Sequence, residues 1–166
     1  MSNARDYELP NFNELLGALF NRIEQEYKPL LLALLEYVAA EKYREWANSA
    51  EFKSERDQLL ACAQREEEIA RKIEELYPDP KLKQEEIFQT IPELTQASEG
   101  LFGEKSTNHQ IAVLAAGERW GSDVWKTLAD DEGEPEKRKV FLSCRPLEEA
   151  NAEVLEKLLL ATNQEH

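Results

Sequence analysis

With a formal net charge of −14 over 166 residues, this chain is too acidic to bind nucleic acid through its phosphates or to be drawn to an anionic membrane, since both need clustered Lys and Arg. Hydrophobic residues at 42% and charged residues at 33% fit one folded domain over 1–166, and the longest apolar run, Pro29 to Leu35, is far short of the ~20 residues of a membrane span. Cys62 and Cys144 alone exclude a disulfide scaffold, and the start MSNARDYELP lacks the basic-then-apolar pattern of a secretory signal, so the expectation is a cytoplasmic protein with reduced thiols.

Scarce glycine, and proline placed between apolar-periodic segments, predict an all-α chain. A first helix is expected over about Pro10–Tyr27. A second opens at Pro29, whose missing N–H is harmless in a first turn, and runs to Asn48. Ser54 followed by Asp57 resembles an N-cap, starting a helix that ends near Tyr77 before Pro78 and Pro80. From Pro78 to Asn108 the sequence reads as a long connection with one short helical piece near Pro92–Phe102. Thr107 or Asn108 can cap a helix to Asp130, and the polar loop DDEGEPEK leads to a last helix reaching Ala161. Pro146 sits inside that helix, where it would remove a hydrogen bond to Leu142 and kink or restart it, shifting Glu148.

Sliding the chain against itself by 82 residues aligns 9–77 with 91–159 without a gap. The identities include Pro10 with Pro92, Phe20 with Phe102, Glu36 with Glu118, Cys62 with Cys144, Glu66 with Glu148 and Ala70 with Ala152. The expected architecture is therefore a tandem duplicated helix pair with short extra helices and a long crossover.

The repeat carries four acids. Glu36 follows Leu32 at i−4 and precedes Ala39 at i+3 and Tyr43 at i+7, which places it on a core-facing stripe. Glu118 stands likewise between Leu114 and Trp125. Glu66 and Glu148 follow 30 residues later in each half, with a Cys at i−4 and an Ala at i+4. Buried carboxylates are costly unless they are paired, hydrogen-bonded or bound to metal. Three readings stay open: a shared cation, carboxyl pairs sharing protons, or helix faces shifted so that some acids are solvated.

Four segments in order then resemble the ferritin-like di-iron carboxylate proteins, closest to the rubrerythrin-like members. EYVAAEKYREWA and ERWGSDVWKTLA resemble their first and third helices. LLACAQREEEIARKIEELYP and FLSCRPLEEANAEVLEKLL resemble the second and fourth. The resemblance covers Pro29 to Leu159 and implies a ferritin-like four-helix bundle with metal ligands at Glu36, Glu66, Glu118 and Glu148, and oxidase or peroxide chemistry with iron or manganese. Relatives commonly form homodimers.

The family's histidines would fall three residues after Glu66 and Glu148, where this chain has Ile69 and Asn151. Isoleucine cannot ligate, and Asn151 offers only a neutral oxygen, so Asn151 joins the candidate metal residues. An all-oxygen set favours harder ions such as Mn, Mg or Ca over a tight di-iron centre, and a metal-free bundle serving as a binding or structural module is the rival expectation. His109 and His166 lie at a helix start and at the terminus, where neither replaces a lost ligand. Cys62 and Cys144 read as small buried hydrophobes, with soft metal ligands or redox-active thiols beside the site the alternative. Tyr43 and Trp125 read as core residues, with electron relay the alternative. Glu67, Glu68, Asp130, Asp131 and Glu132 read as solvated charges. No phosphate loop, Cys-x-x-Cys element or nucleophile with a histidine partner occurs in the sequence. Without a rubredoxin-type element, peroxidase activity by this chain alone is not expected, and its electron donor and partner proteins are unidentified.

Overall fold

The computed structural model describes residues 6–162, and the regular elements among them are all helical. In chain order they are α1 (Phe12–Leu15), α2 (Gly17–Phe20), a 3-10 turn at Gln25–Tyr27, α3 (Lys28–Ala47), a second 3-10 turn at Ala50–Phe52 and α4 (Arg56–Glu74). There follow α5 (Pro80–Thr90), a 3-10 segment at Pro92–Gln96, α6 (Ala97–Phe102), α7 (Thr107–Asp131) and α8 (Pro135–Thr162). None of these helices is long and apolar enough to cross a membrane. His166 lies outside the described residues.

The four long helices follow from where their apolar residues fall. In α4 the buried positions Leu59, Cys62, Ala63, Glu66, Ile69, Ala70 and Ile73 recur at three and four residues, a single stripe, while its other face is charged. The start of α3 is buried on every side, with Leu30, Leu31, Leu32 and Ala33 all at 2% exposure or less. Such a helix needs cover all round, and α4 and α5 supply part of it. Along the chain α3 packs on α4 and α7 on α8, and the two pairs join through α4 and α8. Shifted by 82 residues, α3 falls inside α7 and α4 inside α8.

The short elements close the space between α3 and α7. Phe12 stacks on Trp120 of α7 and Phe20 meets the same indole edge-on, while Asn13 accepts the indole N–H at 2.9 Å. From the other side Phe102 of α6 lies under the ammonium of Lys42 on α3, 5.2 Å from the ring centre. Phe12 and Phe20 thus reach α7, and Phe102 reaches α3, so aromatic side chains of the short helices meet the long helix of the other half.

Several boundaries differ from the sequence reading. The expected helix over Pro10–Tyr27 is instead two short helices, α1 and α2, ending at Phe20, after which Arg22 reaches to Thr90 O (2.6 Å) and Glu93 (2.8 Å) and a 3-10 turn leads into α3. Ser54 is not a cap: Glu55 occupies that position, without a side-chain hydrogen bond, and α4 stops at Glu74, three residues before Tyr77. Ser106, not Thr107 or Asn108, caps α7 by accepting His109 N–H at 3.2 Å. The 78–108 connection holds an unforeseen helix, α5, which starts at Pro80 and buries little beyond Gln84 and Ile87, too few apolar positions to display a period. Finally, α8 runs unbroken through Pro146. Pro146 and Leu142 both face solvent, so the carbonyl that loses its partner stands on the wet side of the helix and Glu148 keeps its inward register.

Candidate functional site

The four sequence-predicted glutamates come from four different helices and are all buried: Glu36 on α3, Glu66 on α4, Glu118 on α7 and Glu148 on α8. Ligand oxygens of Glu36, Glu66 and Glu148 lie within 4.8 Å of one another. Glu118 lines the same cleft and adds its charge to theirs.

Each of three carboxylates has one oxygen tied by a neighbouring donor. Tyr43 O–H donates to Glu118 Oε1 at 2.6 Å, and Trp125 N–H donates to Glu148 Oε1 at 3.0 Å. The side chain of Asn151 donates to Glu66 Oε1 at 2.6 Å. The second oxygens of Glu66 and Glu118 are buried without a protein partner. Orphaned buried acceptors are rare, and their cost calls for a proton, a water or a cation.

Asn151 has its orientation fixed from both sides. Its Nδ2 also donates to the Cys62 carbonyl at 3.2 Å, and its Oδ1 accepts from Arg65 at 3.1 Å. A carbonyl can only accept and a guanidinium can only donate, so the amide cannot be flipped. The amide oxygen expected from the sequence as a neutral ligand is engaged by Arg65, and Asn151 turns donors toward the cluster. Ile69 is fully buried and presents only hydrocarbon.

Burial, then the charges of Glu148 and Glu66, hold the Glu36 carboxyl well above its ordinary range. Burial, then Glu66 and Glu148, do the same for Glu118. For Glu148 burial and the Glu66 charge push up, hydrogen bonds from Glu118, Glu36 and Trp125 pull down, and the balance lies at about 7. Desolvation and like charge act in one direction here, toward the protonated form in the absence of a counter-cation.

Comparison of the chain with protein families, with curated proteins and with solved structures finds no match. What the arrangement can do therefore rests on its own chemistry. A cleft of about 60 Å³ between α3 and α7 reaches the four acids, and its walls are apolar, with Phe12 and Leu16 from the first turns and Leu101 and Phe102 from α6. Its volume holds a small ion or a few waters. The donor set is four carboxyl groups, all oxygen, which in their deprotonated form fit a hard divalent cation.

The remaining candidates lie apart from this cluster. Cys62 and Cys144 are free, fully buried thiols that burial pushes up to about 12, inert at neutral pH. His109 stacks on Tyr7 and contacts the Glu8 carbonyl at 2.6 Å. Glu67 pairs with Arg44 and Asp130 with Lys126, while Glu68 and Asp131 are exposed and Glu132 partly so. Missed from the sequence were Arg65 and Gly121. A Cβ at Gly121 would sit 2.9 Å from Glu148 Oε1, so the bare backbone of α7 makes room for that carboxylate. A glycine three residues after a core-facing glutamate was the available signal.

Proposed function

We propose that this chain is a ferritin-like, rubrerythrin-related four-helix bundle, built from a duplicated helix pair, that holds a divalent metal, iron or manganese, among Glu36, Glu66, Glu118 and Glu148. The observation that carries the reading is the pair of orphaned, buried oxygens on Glu66 and Glu118 beside converging carboxylates from separate helices. Burying four acids is unfavourable by several kcal/mol per charge unless something compensates, and a cation does so directly. When bound, the metal would supply the oxygen or peroxide redox chemistry implied by the resemblance. The chain's own residues do the rest: Tyr43, Trp125 and Asn151 orient the carboxylates, and the apolar cleft walls keep bulk water from them.

A second reading has a specific observation behind it. Asn151 and Ile69 stand where the imidazoles would be, Asn151 turning its N–H groups toward the cluster, and the raised carboxyls of Glu36 and Glu118 can each share a proton with Glu66 and Glu148. The protein would then be a metal-free helical module. Metal analysis after growth with iron or manganese, with thermal unfolding in the presence and absence of chelator, separates the two. Bound metal together with a melting temperature lowered by chelator supports the first. Less than about 0.1 metal per chain and no change in melting removes it, because a ligand of the folded state must stabilise that state.

A further inference from the structure

We infer that the cluster takes one hard divalent cation, not two, on Glu36, Glu66 and Glu148, with Glu118 standing beside that ligand set. This rests on the metal-binding reading and specifies its stoichiometry and ligands. Oxygens around one such ion lie roughly 2.0–2.6 Å from it, so ligands of the same ion stand no more than about 5 Å apart. The oxygens of Glu36, Glu66 and Glu148 meet that limit, all lying within 4.8 Å of one another. The group does not extend to Glu118, whose Oε1 is tethered by the Tyr43 hydroxyl at 2.6 Å.

Two further features disfavour a second ion. The two positions that would have to complete its shell present hydrocarbon at Ile69 and N–H donors at Asn151. Behind Asn151 stands the Arg65 guanidinium, a fixed positive charge directed at the same amide. In contrast, Glu66 Oε2 is buried, has no N–H or hydroxyl partner and belongs to the triad, which gives a single ion one ready ligand once the neighbouring carboxyls release their protons.

The test uses the full chain, stripped with EDTA, dialysed and titrated with MnCl₂. Free Mn²⁺ is read from its room-temperature paramagnetic resonance signal, and bound metal is counted after desalting. One Mn²⁺ per chain is expected. Glu36→Gln, Glu66→Gln and Glu148→Gln should each raise the dissociation constant at least about tenfold more than Glu118→Gln, because each removes a charged ligand whereas Glu118 stands beside them. Circular dichroism of every variant checks that the near-isosteric changes leave the helices folded, and the wild-type stoichiometry decides the matter even if one variant does not fold. Two equivalent Mn²⁺ per chain, or a Glu118→Gln effect as large as that of Glu66→Gln, overturns this inference and leaves the metal-binding reading standing. No Mn²⁺ bound at all overturns both.

Discussion

At the scale of single residues, the cluster is shaped as much by what borders the acids as by the acids themselves. Gly121 faces the Glu148 carboxylate so closely that even one methyl meets it at 2.9 to 3.0 Å. Gly121→Ala should therefore displace Glu148 and destabilise the protein by about 1–3 kcal/mol, the usual range for overpacking, although alanine favours the helix by about 1 kcal/mol elsewhere. Urea unfolding measures it, and a variant as stable as wild type would show that Glu148 has slack. Trp125 acts on the same carboxylate by chemistry, since its N–H favours the charged form. Trp125→Phe should raise the Glu148 midpoint above about 7, observed as an upward shift of the carboxyl resonance titration in the metal-free protein.

At the scale of elements, Pro146 is the sharpest case. It exposes its ring, and the carbonyl it leaves unpaired belongs to the exposed Leu142, so α8 stays straight enough to deliver Glu148 to the cluster. Pro146→Ala should restore that hydrogen bond and stabilise the fold by about 1 kcal/mol or more, below the roughly 3 kcal/mol of a fully buried helix interior because water already serves the carbonyl. Chemical denaturation reads the change, and unaltered Mn²⁺ affinity would show that Pro146 does not govern the site. α4, α7 and α8 were legible because each sets a buried stripe of seven or more residues against a polar face, and α3 because a long apolar run follows Pro29. The same pattern made Glu36, Glu66, Glu118 and Glu148 legible, since an acid at a core position breaks its stripe conspicuously. α5 was not, because two buried residues make no period. Neither was the Asn151 orientation, which depends on Arg65 arriving from another helix and leaves no trace in local spacing. The partners of Tyr43 and Trp125 escaped for the same reason: aromatic and carboxylate lie on different helices, and sequence showed only that both were core.

At the scale of the whole molecule, the buried acids set how stability follows pH. The chain carries a net charge of −14, so adding negative charge to its interior works against the folded state. Glu148 has an ordinary value of 4.5 when exposed and about 7 when folded, so between those limits the folded state binds the extra proton. Stability must then fall as pH rises: the contribution is fully present below 4.5 and is lost on passing through about 7. Glu36 and Glu118 are raised in the same direction and add to the slope. Each unit of difference is worth about 1.4 kcal/mol, so the metal-free protein should be more stable at pH 5 than at pH 8, by an amount visible as several degrees of melting temperature. Saturating Mn²⁺ should flatten or invert the trend, because the cation takes the place of the protons and competes with them at low pH. The control is Glu148→Gln, whose side chain cannot ionise and whose stability should therefore vary less between the two pH values. If stability in EDTA rose toward pH 8, or if Glu148→Gln kept the full wild-type slope, the cluster would be ionised without a cation, and the physical case for one at its centre would be lost.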